Sequence, residues 1–213
     1  EVSVETNFRL AKKVFQHTAR YDGAISNYLG QIEDGKKAYA FPETFTVQVK
    51  KAQELRYGEN PHQRAAFYRE YALTEPSVSN AVQLQGKELS YNNILDLDSA
   101  YETVKEFEET AVVIIKHNNP CGVAISFTSL ADAYRKARDC DPVSAFGGIV
   151  GFNRPVDVET AREMRDLFLE AIIAPGFDPE ALEILKGKKD LRILQTPPLS
   201  SYAPVSYTHL RAH

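Results

Sequence analysis

Hydrophobic positions at the start of the chain follow a helical period. Apolar side chains share one face of residues 7–20 at spacings of three and four: Phe8, Ala11, Val14 and Phe15. Asp22 is a suitable N-cap for a second, shorter helix, which Gly30 would end. Residues 31–43 are mostly polar and contain a glycine and a proline, so they are predicted to be a linker.

From residue 44 onward, strand and helix patterns alternate. Strands are predicted at residues 44–55, 81–86, 111–115, 147–153 and 191–196. Helices are predicted at residues 92–109, 129–138, 157–170 and 178–187. The run "AVVII" is short, continuous and β-branched, which is typical of a central strand covered on both faces. The alternation predicts an α/β fold, a three-layer sandwich with a mixed sheet.

The amino-acid composition of the chain excludes several classes of protein function. Hydrophobic residues make up 43% and charged residues 25%, which predicts a folded chain rather than a disordered one. The net charge of -4 argues against a nucleic-acid-binding protein. Two cysteines in 213 residues favour a reducing, cytoplasmic setting. No apolar run approaches the about 18 residues that a membrane span needs, so no membrane partner is expected.

Both ends of the chain suggest a piece of a longer protein. The chain lacks an initiator methionine and enters a helical pattern at once, so we expect it to begin inside a longer protein. Its last residues, "SYAPVSYTHLRAH", follow no period and add two of the five histidines. We expect residues 201–213 to be a non-native tail and exclude them from the fold argument.

The segment "KHNNPCG" follows the predicted central strand and carries the strongest candidate chemistry. Lys116, His117, Asn118 and Asn119 stand at the carboxyl end of that strand, where loops of open α/β sheets present polar groups to ligands. A histidine there can serve as a general base, and an adjacent lysine can stabilise developing negative charge. The alternative is a polar turn without a catalytic role, and the residues alone leave both open.

Four further residues, in three segments, are candidates for nucleotide binding. In "LRYGENPHQ", Arg56 could hold a phosphate and Tyr57 could stack on a heterocycle. In "DPVSAFGGIV", Gly147 permits close approach of a ligand to the backbone. Glu170 is predicted to close the helix at residues 157–170, where it could accept hydrogen bonds from ribose. Each has an ordinary structural alternative: a paired surface arginine, a tightly packed strand and a solvated helix end.

A zinc site is not predicted. His117 and Cys121 stand four residues apart, but a zinc nucleobase deaminase would show H-x-E followed by P-C-x-x-C. The segment "PCGV" lacks the second cysteine, and no H-x-E occurs.

Four segments together resemble one bacterial enzyme family. "LRYGENPHQ", "KHNNPCG", "DPVSAFGGIV" and "IIAPGF", in this order and with these separations, are similar to the family that joins IMP cyclohydrolase to AICAR transformylase. The opening "AKKVFQHTARYDGAISNYL" also resembles the last helices of that family's cyclohydrolase domain. The resemblance covers about residues 3 to 195.

The resemblance implies an activity and a set of roles. The family transfers a formyl group from 10-formyltetrahydrofolate to the 5-amino group of AICAR and closes the ring to IMP, with a site at a homodimer interface. It implies a cytidine deaminase-like fold without zinc. It implies that His117 is the proton acceptor and Lys116 the transition-state stabiliser. The implied substrate-binding residues are Arg56, Tyr57, Asn118, Asn119, Gly147 and Glu170.

The resemblance also predicts a domain plan. Residues 1–33 would be the C-terminal helices of a cyclohydrolase domain, residues 34–45 a linker, and residues 46–200 the first part of a transformylase domain. The other parts of both domains would lie outside the chain, so the chain alone is expected to be inactive or nearly so. The alternatives are a non-catalytic nucleotide-binding or dimerisation module and a zinc-free deaminase-like hydrolase.

Overall fold

The computed structural model describes residues 2–37, 41–71 and 75–199. The chain divides into two units between Lys50 and Lys51. The first unit contains one long helix, α1 (Val4–Leu29), which begins after the N-cap Ser3 and ends at Gly30. The end at Gly30 was predicted from the sequence and is confirmed.

The predicted break of this helix near Asp22 is wrong. α1 runs through Asp22 and Gly23 without interruption. A glycine inside a helix costs only about 1 kcal/mol relative to alanine, so it does not end a helix by itself. Here Gly23 also permits a close contact, because a Cβ at this position would lie 2.9 Å from Cγ2 of Thr46. The Asn27 side chain fixes the same segment by accepting the N–H of Thr46 at 2.9 Å.

Part of the predicted linker is a hairpin. Strands β1 (Ile32–Glu33) and β2 (Lys36–Lys37) pair in antiparallel fashion. The turn residues Asp34 and Gly35 both have positive φ angles, 50° and 72°. This is the turn type that an Asp-Gly pair favours. Residues 38–40 of the predicted linker lie outside the described residues.

The remaining elements alternate between strand and helix. The strands are β3 (Val49–Leu55), β4 (Ala65–Glu70), β5 (Val82–Gln85), β6 (Thr110–Lys116), β7 (Asn119–Ser126), β8 (Gly148–Phe152), β9 (Leu169–Ala174) and β10 (Arg192–Gln195). The helices are α2 (Tyr91–Lys105), α3 (Leu130–Cys140), α4 (Pro142–Ala145), α5 (Val158–Glu163) and α6 (Pro179–Lys186), with a 3₁₀ helix at Val78–Asn80.

Six of these strands form one mixed sheet, in the order β5-β10-β9-β8-β6-β7. β8, β9 and β10 are parallel, whereas β5 and β6 run antiparallel to their neighbours. Residues of α2 pack in one core, and residues of α3, α5 and α6 pack in another. The predicted α/β sandwich with a mixed sheet is therefore confirmed.

Strand β6 shows why the sheet is covered on both faces. Successive residues of a strand point to opposite faces. Val112 and Ile114 belong to the core that contains α3, and Val113 belongs to the core that contains α2. Residues 111–115 are all buried, with exposures of 0–1%. The prediction that "AVVII" is a strand covered on both faces is confirmed, and β6 is an interior strand next to the edge strand β7.

The predicted helix at residues 157–170 is wrong in its second half. α5 ends at Glu163, and residues 169–174 form β9, which pairs with both β8 and β10. A short apolar run such as "LFLEAIIA" cannot be assigned to helix or strand from its pattern alone. Its place between two strands decides the outcome, so Glu170 lies in a strand rather than at a helix end. Strands β4 and β7 were also not predicted.

Candidate functional site

A two-residue turn connects β6 to β7. Lys116 pairs with Asn119 across the hairpin, and His117 and Asn118 form the turn between them. Both turn residues have positive φ angles, 53° and 60°. Positive φ at both central positions is the geometry of a type I′ turn, and histidine and asparagine are among the few residues besides glycine that adopt it. Both side chains are exposed.

Helix α2 holds this turn from one side. The N–H of Asn118 donates to Oδ1 of Asp96 at 2.7 Å. Ser99, one helical turn further along α2, donates to the side-chain oxygen of Asn118. Within the hairpin, the side-chain amide of Asn119 donates to the carbonyl of His117 at 2.9 Å. The turn is therefore fixed by both its own strand and the helix.

Lys116 lies against the loop that precedes β8. Its Nζ donates to the carbonyls of Phe146 and Gly147, each at 3.0 Å. Gly147 has a φ of 69°, and a Cβ there would lie 2.8 Å from Lys116 Nζ. The N–H of Gly147 donates to the carbonyl of Phe168 at 2.8 Å. The structure thus brings together two candidates that stand 31 residues apart in sequence.

Glu170 lies in β9, and its partner is an arginine that the sequence analysis missed. Nη1 of Arg192, at the start of β10, donates to Oε2 of Glu170 at 2.8 Å. The Arg192 side chain is only 15% exposed, so this pair is partly shielded from water. A strand-initial arginine gave no sequence signal, because the pairing depends on β9 and β10 being neighbours.

The sheet topology corrects one part of the sequence argument. Lys116 stands at the carboxyl end of β6, as predicted. Because β6 is antiparallel to β8, that end meets the beginning of β8 and of the parallel strands beside it. Gly147, Glu170 and Arg192 therefore stand near the amino ends of β8, β9 and β10. The rule for carboxyl ends of parallel strands does not describe this site.

Two aromatic rings flank the same loop and were not predicted as site residues. Phe146 and Phe168 lie with ring centroids 5.3 Å apart and ring planes at 47°. They are 59% and 43% exposed, respectively. Exposed aromatic rings beside polar groups offer a surface on which a flat heterocycle can stack.

Arg56 and Tyr57 occupy a separate loop after β3. The guanidinium carbon of Arg56 lies 5.9 Å from the centre of the Tyr57 ring, which is a cation–π distance. The loop is closed by the N–H of Gly58, which donates to the carbonyl of Gln63 at 2.9 Å. Within the described part of the chain, the hydrogen bonds do not join this loop to the Lys116 hairpin.

The cysteine of "KHNNPCG" lies inside the hairpin rather than at its tip. Burial raises the pKa of the Cys121 thiol, which favours the uncharged form. Its Sγ lies 3.5 Å from the carbonyl of Ile114. Among residues 2–37, 41–71 and 75–199, no group of three or more His, Cys, Asp and Glu side chains is arranged to hold a metal. In the same ranges, no helix is both long and apolar enough to cross a bilayer.

Comparison with known proteins assigns the family. The family model described as AICARFT/IMPCHase bienzyme matches residues 1–211, so the chain belongs to this family. The match extends into residues 201–213, which lie outside the described residues, and their proposed non-native origin stays a prediction.

Individual curated relatives support the same family assignment. The bifunctional purine biosynthesis protein PurH of Magnetococcus marinus is 54% identical over 206 residues, which cover 96% of this chain and 39% of that protein. The PurH of Caldicellulosiruptor saccharolyticus is 55% identical over 200 residues, 92% of this chain and 38% of the relative. The chain therefore spans about two-fifths of the length of the curated relatives it matches.

Proposed function

We propose that the protein to which this chain belongs transfers the formyl group of 10-formyltetrahydrofolate to the 5-amino group of AICAR. In the longer protein, a second activity then closes the ring to IMP. The family supports the reaction, and one observation in the structure carries the assignment of its site. This observation is the type I′ turn that exposes His117 directly beside Lys116.

The reaction needs one base and one stabiliser of negative charge. The 5-amino nitrogen attacks the formyl carbon, and its proton passes to His117. The bond between the formyl carbon and N10 of the folate then breaks, and N10 takes up a proton. The products are formyl-AICAR and tetrahydrofolate. A general base in such a step contributes about 10²–10⁴-fold to the rate.

Lys116 is proposed to stabilise the oxygen that becomes negative during attack. An ammonium group has three N–H donors. Two of them bind the carbonyls of Phe146 and Gly147, which fixes the position of Nζ. The third is proposed to donate to the formyl oxygen. A preorganised donor of this kind stabilises the transition state more than a freely moving lysine, because it needs no reorganisation.

The remaining candidates are proposed to bind the nucleotide. Arg56 would pair with the phosphate and Tyr57 would lie beside it, because the exposed Arg56 and the half-buried Tyr57 stand side by side in one loop. Gly147 would border the nucleotide, and Glu170 would accept hydrogen bonds from ribose hydroxyls while Arg192 holds it. Asn118 and Asn119 complete the proposed substrate-binding set.

The proposal includes an organisation for the longer protein. Residues 1–33 are assigned to the end of the cyclohydrolase domain, residues 34–45 to a linker and residues 46–200 to the first part of a transformylase domain with a cytidine deaminase-like fold. The protein is proposed to work in the cytoplasm as a homodimer, without a metal in this part of the chain. The chain alone is proposed to be inactive or nearly so.

The proposal is tested by measuring formyl transfer to AICAR with two proteins. One is the chain as given, and the other is the same sequence extended at both ends to the length of its relatives. Transfer by the extended protein, with little by the chain alone, is expected. A folded, extended protein that binds AICAR tightly but transfers no formyl group would contradict the proposal and support a binding module instead.

A further inference from the structure

We propose that Asp96 is a positioning residue that holds His117 in place for formyl transfer. The inference rests on the proposed function, because it assigns His117 a role in that reaction. Asp96 lies on α2, 22 residues before Asn118, and its carboxylate accepts the N–H of Asn118 in the turn. It is therefore argued to act through His117 and not on the substrate.

The turn needs to be held because its backbone is unusual. His117 and Asn118 are consecutive residues in the left-handed region, at φ angles of 53° and 60°. Residues other than glycine occupy this region at a cost in energy, and such conformations persist where the surroundings determine them. An exposed turn that was left free would sample other conformations and move the His117 ring.

The peptide group between His117 and Asn118 is fixed from both sides. Its N–H, which belongs to Asn118, donates to Oδ1 of Asp96 at 2.7 Å. Its carbonyl, which belongs to His117, accepts from the Asn119 side chain at 2.9 Å. Together these bonds restrict the orientation of the peptide plane that leaves His117. A hydrogen bond to a carboxylate is about twice as strong as one between neutral groups, so Asp96 makes the stronger of the two.

The carboxylate itself is carried by a rigid element. The buried face of α2 includes Leu97, Ala100 and Tyr101, each 0% exposed, so the helix is fixed against the sheet. Ser99 stands three residues after Asp96, on the same side of the helix, and binds the Asn118 side chain. The turn is thus anchored, through α2, to the buried core of this unit.

The test uses three variants of the extended protein. Asp96→Ala removes the acceptor, whereas Asp96→Asn keeps an oxygen that can accept the same N–H. Asp98→Ala is the matched control, because it removes the same side chain from the same helix at a position about 200° around the axis. For each variant, kcat and the KM for AICAR are measured. Hydrogen–deuterium exchange is also measured on the peptide that contains the Asn118 amide.

Asp96→Ala is expected to lower kcat by about 10²-fold, because a displacement of about 1 Å has effects of this size. The KM for AICAR should change little, and exchange at the Asn118 amide should become faster. Asp96→Asn should recover most of kcat, and Asp98→Ala should leave exchange at the Asn118 amide as in the wild type. A general loss of fold would instead raise exchange throughout α2, and the Asp96→Asn protein would then decide the question.

Three results would overturn the inference: an Asp96→Ala protein with wild-type kcat, equal losses in the Ala and Asn variants, or unchanged exchange at Asn118. A wild-type extended protein without formyl transfer would overturn the proposed function. In that case the exchange measurement still decides whether Asp96 holds the turn, so the two failures are distinguishable.

Discussion

Strand β7 is held at each end by an aspartate from a neighbouring helix, and the two ends differ in one respect. At its start, Asp96 of α2 accepts the N–H of Asn118 in a turn with two left-handed residues. At its end, Asp132 of α3 accepts the hydroxyl of Ser126 at 2.6 Å and the ammonium of Lys136 at 2.7 Å. The turn between β7 and α3, residues 127–129, lies within the described part of the chain. None of its residues has a positive φ angle.

The difference indicates what each contact is for. At the end of β7, the hydrogen bonds satisfy polar groups where a strand stops and a helix starts, and Ser129 caps α3 in the ordinary way. At the start of β7, an equivalent contact maintains an uncommon backbone that exposes His117. Uncommon backbone conformations of this kind concentrate at functional sites. The comparison therefore supports the proposed site at the first end.

Lys116→Met should have a large effect on the reaction. Because Lys116 is proposed to stabilise the charged transition state, its loss should lower formyl transfer by about 10²–10³-fold. Lys136→Met is the matched control at the other end of β7, where the lysine binds Asp132 of its own helix. Steady-state rates of formyl transfer by the extended protein check this prediction. An equal loss of rate in both variants would contradict a catalytic role that is confined to the start of β7.

Gly122→Ala should give the largest effect on stability. Gly122 lies in the middle of β7, and a Cβ there would lie 1.9 Å from the carbonyl oxygen of Ala137 in α3. We expect a loss of about 3 kcal/mol in the free energy of unfolding, at the upper end for overpacking. Urea unfolding measures it. In Gly176→Ala, where the nearest atom lies 3.5 Å away, the unfolding energy should hardly change, and similar losses in both would contradict the packing argument.

Gly147→Ala should affect both stability and activity. A left-handed alanine costs about 1–2 kcal/mol, and the new methyl would also press on Lys116. Gly35→Ala separates the two causes, since Gly35 has a φ of 72° but no atom within 4 Å of its Cβ position. Both variants should lose similar unfolding energy, and only Gly147→Ala should lose formyl transfer. Full transfer by Gly147→Ala would remove Gly147 from the site.

Asp132→Asn should give the smallest effect, which is present near neutral pH and disappears in acid. The side chains of Lys136 and Ser126 hold the pKa of Asp132 at about 2, below its ordinary 3.8. A lowered folded-state pKa stabilises the protein above pH 3.8, and this stabilisation is lost as the pH falls towards about 2. The wild type should have the higher urea midpoint near neutral pH, and the difference should vanish near pH 2. A difference that does not change with pH would contradict this assignment.

The sequence predicted the features that local composition determines. "AVVII" indicated a buried central strand because five adjacent apolar residues need cover on both faces. It also indicated that Lys116 and His117 follow that strand. It did not indicate the tether from Asp96 or the pair between Arg192 and Glu170, each of which joins residues 22 positions apart. Contacts of this kind depend on the order of strands and helices in space.

The His117–Asn118 turn is a second feature that the sequence did not indicate. The strongest sequence signal for a type I′ turn is Asn-Gly or Asp-Gly, and "HN" is neither. The Asp34–Gly35 turn does carry that signal, yet its segment was predicted to be a linker because it is mostly polar and contains Gly35 and Pro42. The strands beside the turn have only two residues each, too few to show a strand pattern. The four residues Lys116 to Asn119 were therefore predicted as candidates, while their geometry required the structure.

The central claim is that His117 takes the proton from the attacking amine. The most direct measurement is the rate of formyl transfer to AICAR by the extended protein carrying His117→Ala, beside the wild type and with the fold of both verified. A fall of about 10²–10⁴-fold is expected, which is the contribution of a general base. A folded His117→Ala protein that transfers the formyl group at the wild-type rate would contradict it.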